Sequence, residues 1–138
     1  MDIVHQIFPQ HKLVYIVLRG RNTIAELMQY VLDLPASDPD HSEDLDYLID
    51  TRRAEASGES AASERTSLQN FIGAIPSTPQ SVIKTATVLP SGTLEYGLSR
   101  MYGAELEESN IEYQLFDDLE AAINWLERPM ELIEQLKL

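Results

Sequence analysis

KLVYIVLRGRNTIAELMQYVLDLP, residues 12–35, changes period half-way along, and that change decides the fold class. From Lys12 to Arg19 apolar residues stand at consecutive positions, so a strand here is apolar on both faces and belongs inside a sheet. Thr23 stands three residues before Glu26, the spacing of a capping box, in which each side chain accepts from the other's backbone amide at a helix start. Ile24, Leu27, Met28, Val31 and Leu32 then recur at helical spacing as one apolar stripe. Pro35 is expected to end that helix, because it has no N–H for the next turn. A central strand feeding an amphipathic helix is the building unit of an α/β domain.

Upstream, Ile3–Phe8 is extended and rich in Ile and Val, and PQH joins it to the strand at 12–19 as an antiparallel hairpin. His5 and Gln6 inside it and Pro9 at its end place this first strand nearer a sheet edge. Downstream, ASDPDHSEDLD is a polar, acidic connection to a third strand, Leu45–Thr51. A helix between two strands implies a right-handed crossover. RRAEASGES then leads into a second helix, roughly Ala61–Ile75, with Leu68, Phe71, Ile72 and Ile75 gathered in its C-terminal half. Val82–Leu89 and Ile111–Phe116 complete five strands. In the last, Ile111, Tyr113 and Leu115 alternate with Glu112 and Gln114, so one face meets water.

That strand runs into DDLEAAINWLERP, where Asp117 is the expected N-cap, paired with Glu120. Leu119, Ala122, Ile123 and Leu126 face the core, and Trp125 is expected to be largely buried where it closes that core. MELIEQLKL, after Pro129, is an acidic amphipathic tail that docks on the body or on another subunit, the second arrangement giving a homodimer. Residues 1–138 read as a single domain without internal repeats.

Ten Lys and Arg against 23 Asp and Glu give a formal charge of −13, which repels nucleic-acid phosphates and anionic membrane surfaces. There are no cysteines, so disulfides and thiol chemistry are excluded. The longest apolar run, LVYIVL at 13–18, is far too short to span a bilayer, and the first ten residues lack the basic and apolar regions of a signal peptide. A cytoplasmic protein is the expectation.

Chemistry-bearing patterns are few. His5, His11 and His41 lack metal-ligand spacing and read as solvated or hairpin histidines; DPDHSEDLD lacks the glycine and terminal Glu of a calcium loop. Neither a phosphate-binding glycine loop nor a nucleophile elbow is present, so no cofactor, metal or catalytic set is expected. TLEYGLSRMYGAEL, residues 93–106, reads as a helix with Gly97 in its apolar stripe, allowing close approach to the sheet. Tyr96 and Arg100, one turn apart beside that stripe, are candidates for binding an anion or a partner.

The order of the hairpin, LDYLIDTRR at 45–53, YGLSRMY at 96–102 and LFDDLEAAINWL at 115–126 resembles the bacterial SpoIIAA-like proteins of the STAS and CRAL-TRIO fold group. The likeness runs over nearly the whole chain, with residues 52–80 matching in outline. It implies a five-stranded, mixed but mainly parallel sheet with a β-hairpin start, β-α superhelix crossovers and helices mainly on one face. It also implies a regulatory or protein-interaction module rather than an enzyme. In signalling members of the STAS group a Ser or Thr near the helix after the third strand is phosphorylated, which switches partner binding. Ser57, before Gly58, is the nearest match here and Ser60 the second candidate; the sequence EASGES stands where the group usually has Asp-Ser-Ser-Gly. Arg52 and Arg53, with Arg65, are candidates to receive such a phosphate. Related CRAL-TRIO folds enclose lipids, so a small apolar or amphipathic ligand is the alternative.

Overall fold

Thr23 Oγ1 accepts from the Glu26 amide at 3.1 Å, and Glu26 Oε1 accepts from the Thr23 amide at 3.1 Å. This capping box opens helix α1, Ile24–Ser37. The structure is a computed structural model and describes residues 2–21, 23–40, 45–55, 83–88 and 111–136. Within α1, Leu27 and Leu34 are buried, whereas Leu32 is 38% exposed. The stripe is therefore phased on Leu27 and Leu34, from which Leu32 is turned by about 140–160° at 3.6 residues per turn. Pro35 lies inside α1 rather than at its end. It falls in the last turn, where its missing N–H forfeits only one bond, and the Asp38 amide still closes on the Leu34 carbonyl at 3.0 Å.

Five strands form one sheet in chain order: β1 Asp2–Phe8, β2 Leu13–Arg21, β3 Asp46–Glu55, β4 Ile83–Val88 and β5 Ile111–Phe116. β1 is antiparallel to β2, and the other three pairings are parallel. The hairpin closes through a 3-10 turn, Pro9–His11, after which Lys12 takes a left-handed conformation at φ 50°. The polar edge strand and the twice-apolar central strand thus sit where their compositions put them.

Leu13, Tyr15 and Val17 of β2 face one side, with Phe8, Leu48, Ala86 and Val88. Val14, Ile16 and Leu18 face the other, with Ile3, Tyr47 and Ile49. Both sets need cover. α1 supplies Leu27 and Leu34 to the second. The first is covered by α2, Leu119–Trp125, followed by Leu126 and a C-terminal 3-10 helix, Met130–Gln135, which contributes buried Leu132. Burying a Leu or Ile side chain of this kind is worth about 1.5–3 kcal/mol.

The two described α-helices therefore lie on opposite faces, with the C-terminal 3-10 helix on the same side as α2. α1 joins two parallel strands. α2 follows the last strand, makes no crossover and folds beneath the opposite side. The crossovers after β3 and β4 lie outside the described residues, as does the helix expected at 61–75.

The cap of α2 is Asp118, not Asp117: its Oδ1 accepts from the Ala121 amide at 2.7 Å, which leaves Glu120 one position short of a capping box. Trp125 is largely but not fully buried, packed against the edge of this core as expected. It stands about 100° round the helix from Leu126, outside the stripe of Ala122, Ile123 and Leu126. Its ring meets Phe116 at 5.8 Å and lies under the Lys84 ammonium, 5.6 Å from the ring centre.

Arg128 holds this C-terminal layer to the hairpin. Its Nε donates to the His11 carbonyl at 2.7 Å, one Nη to the Leu126 carbonyl, and the other to Asp46 Oδ2 at 2.9 Å. Asp46 Oδ1 accepts from the Lys84 amide at 2.9 Å, so one carboxylate joins β3, β4 and the segment after α2.

Candidate functional site

β3 reads DYLIDTRRAE, and its alternation carries Leu48 and then Asp50 toward the α2 side of the sheet. Asp50 is only 3% exposed. A carboxylate at that depth is costly unless it is paired and hydrogen-bonded. Four donors meet it. Arg52 Nε and the Arg52 amide each donate to Oδ1 at 3.0 Å, Arg52 Nη2 donates to Oδ2 at 2.8 Å, and the Tyr15 hydroxyl donates to Oδ2 at 3.1 Å.

A register irregularity explains the arrangement. Val17 pairs with Asp50, but Arg19 pairs with Arg53, so Thr51 and Arg52 together oppose Leu18 alone. In such a bulge an amide is released from the ladder, and here the Arg52 amide turns to the Asp50 side chain. Resuming register beyond it carries β3 to Glu55, past the expected end at Thr51. Thr51 uses its hydroxyl on the Val88 carbonyl, at 2.8 Å, where β4 ends.

The electrostatics follow from this packing. Burial pushes the Asp50 carboxyl up, but the hydrogen bonds and charge of Arg52, with the Tyr15 hydroxyl, outweigh it and hold the group below its usual value. Burial, then the charge and hydrogen bond of Asp50, push the Tyr15 phenol up to about 12. Arg52 is raised by its hydrogen bond to Asp50, with a further contribution from Asp118 at the start of α2.

The Arg52 side chain is 41% exposed, so an anchored cation faces outward from a buried carboxylate. In register the row Val17, Asp50, Val88, Phe116 crosses the sheet where β4 and β5 end. This is the carboxyl end of the parallel strands, the usual ligand-binding end of an open α/β sheet.

A second constellation lies on the other face. His5 Nε2 bonds to Asp38 Oδ2 at 2.7 Å and Nδ1 to the Tyr30 hydroxyl at 2.5 Å. It ties β1 to the C-terminal end of α1. His5 is thus a hairpin histidine, half-buried and bonded at both nitrogens, not a solvated one. Burial, and then the Asp38 charge, raise the Tyr30 phenol, which keeps it neutral. Among the described residues no three His, Asp or Glu side chains gather as a metal site, and no helix is long and apolar enough to cross a membrane.

No protein-family model matches the chain, and no curated protein matches it. Among solved structures, an uncharacterised protein of the DUF3478 family from Shewanella loihica PV-4, described as having a SpoIIAA-like fold, superposes with a TM-score of 0.53. The match covers 90% of this chain and 93% of that one at 20% identity. The fold is SpoIIAA-like.

Of the residues singled out in the sequence, this SpoIIAA-like sheet carries Arg52 and Arg53 at the end of β3, both exposed. Ser57, Ser60, Arg65, Tyr96 and Arg100 lie outside the described residues. Tyr15 and Asp50 were not singled out. The signal for Asp50 was present as a carboxylate on the same strand face as Leu48 within LDYLID, two residues before an arginine.

Proposed function

We propose that this SpoIIAA-like domain is a regulatory, non-enzymatic protein-interaction module of STAS-like type, acting in the cytoplasm, with its switch at the carboxyl end of β3. The observation that carries the reading is the outward-facing Arg52, fixed by a bidentate bond to buried Asp50, five residues before Ser57. A guanidinium held in one orientation offers charge-assisted bonds to a phosphate, and the neighbouring Arg53 adds positive charge. A phosphate on Ser57 or Ser60 would draw the loop toward this end of the sheet and change the surface seen by a partner. Tyr96 and Arg100 are proposed as a second contact.

The test is native mass spectrometry of protein purified from its own host, joined to partner recovery. A protein partner and a phosphorylated form are expected. Genuinely phosphorylated protein and, more weakly, Ser57→Asp should change the recovery of that partner, while Ser57→Ala should match the unphosphorylated protein. Equal recovery from all forms, with no phosphate on Ser57 or Ser60, refutes the switch. A co-purifying apolar molecule in place of a protein transfers the reading to a ligand binder. A Tyr96→Ala, Arg100→Ala double change that leaves recovery intact removes the second contact.

A further inference from the structure

The outer edge of β1 has the properties of a docking strand. β1 pairs with β2 over seven consecutive positions without a bulge, and among the described residues no other strand pairs with it. Alternate backbone N–H and C=O groups of an edge strand point away from the sheet and invite a further strand. Proteins usually blunt such an edge with Lys, Pro, a bulge or a very short strand. DIVHQIF contains no Lys or Pro and reaches full strand length, and Pro9 comes only after its end.

The charge beside this edge selects what it accepts. On the His5 side the C-terminal end of α1 overhangs β1, held by His5 to Asp38 and Tyr30. Asp33, one turn after Tyr30, and Asp40 are exposed there, and a helix C-terminus adds partial negative charge. A second copy pairing antiparallel through β1 would oppose two such acidic ends on chains of formal charge −13 each. That repulsion disfavours self-pairing and favours a cationic strand.

The reach is also right. A residue placed across from His5 on an added strand has its Cβ about 4.5–5.5 Å from that of His5. His5 itself reaches Asp38, so the longer Lys or Arg side chain, starting one strand farther out, reaches the same group of carboxylates. We infer that the β1 edge binds an extended, basic segment of a partner protein as a sixth strand, with its cations set against Asp33, Asp38 and Asp40. Backbone bonds supply the pairing, and the alternating cations supply selectivity. This surface is separate from the Arg52 end of β3 and stands whether or not that end is a switch.

The probe is a synthetic peptide of alternating Lys and Val, blocked at both ends and about nine residues long to match a strand, titrated into the isotope-labelled full chain by NMR. Resonances of Asp2–Phe8 should move and alternate β1 amides should exchange more slowly with solvent. Affinity should fall with added salt, and by about two- to fivefold for each of Asp33→Asn and Asp40→Asn, as for exposed ion pairs. Both residues are exposed, so the fold should survive their exchange. The same peptide with Glu for Lys, or with Pro at its centre, should leave β1 unmoved. Equal binding by the Glu or Pro peptide, or shifts confined to other strands, overturns the proposal. So does protection of the outward β1 amides before peptide is added: if it depends on protein concentration, a second copy occupies the edge, and if not, this chain covers its own edge.

Discussion

Replacing Arg52 by Ala would strip two of four donors from a carboxylate that is 3% exposed. The Tyr15 hydroxyl and the backbone amide of residue 52 would remain. Hydrogen bonds to a charged group are worth about 1.5–3 kcal/mol each, which sets an upper range of about 3–6 kcal/mol. The arginine side chain is 41% exposed, so water enters the vacated space and recovers part of that loss. A net cost of about 2 kcal/mol is expected, below the cost of opening a fully buried pair. For a domain of this size it lowers Tm by about 5–10 °C.

The assay is urea and thermal unfolding near neutral pH for the wild type, Arg52→Ala, Asp50→Asn and the double variant. Arg52→Ala should cost much less in the Asp50→Asn background, giving a coupling of at least about 1 kcal/mol. Arg52→Lys should restore only part of the loss, because an ammonium cannot make the bidentate bond. A coupling below about 0.5 kcal/mol would refute the claim that Arg52 is anchored by Asp50 and with it the physical basis of the proposed phosphate receptor.

The depressed Asp50 carboxyl contributes stability that is present above the unfolded value near 4 and is lost as pH falls through its lower folded value, so the cost of Arg52→Ala should shrink in acid. Tyr15 and Tyr47 are both pushed up to about 12. Unfolded phenols ionise first, near pH 10, so stability should fall above about pH 10, and ultraviolet titration should show Tyr15 and Tyr47 resisting ionisation until the fold is lost, with Tyr30 also shifted upward. Trp125→Ala should cost about 1–3 kcal/mol by urea unfolding, less than for a fully buried indole, since the ring is largely but not fully buried between Phe116 and Lys84. Leu132→Ala, at 0% exposure, should cost about 2–5 kcal/mol, and an unchanged midpoint would show that the C-terminal 3-10 helix does not close the core.

Local signals were readable before the structure, whereas relations across the sheet were not. Thr23 and Glu26 are three residues apart, so their mutual caps need no knowledge of the fold. The apolar positions of β2 likewise require burial on both faces. Asp50 differs, because its partner Tyr15 is 35 positions away and is brought alongside only by the parallel register of β2 and β3. His5 and Asp38, 33 positions apart, meet only because α1 runs back over β1. Errors of phase were small in sequence and large in angle: Leu34 rather than Leu32 faces the sheet, and Asp118 rather than Asp117 caps α2. Arg52 was recognisable as a cation near the right loop, but its anchoring depends on a bulge that no local pattern announces.

Because the strands lie in the sheet in the order in which they occur in the chain, none has to insert between two already paired. The sheet can grow in one direction as the polypeptide leaves the ribosome. On that route the hairpin would form first, β3 would add beside β2, and the outer side of β3 would wait for β4. From Glu55 to Ile83 the ribosome must add 28 residues, which takes roughly one to six seconds at common elongation rates. For that interval a three-stranded intermediate would present an uncovered row of backbone groups on a strand with buried Leu48 and Ile49, the kind of surface on which nascent chains aggregate. Slower translation between codons 55 and 83 should therefore increase the demand for chaperones.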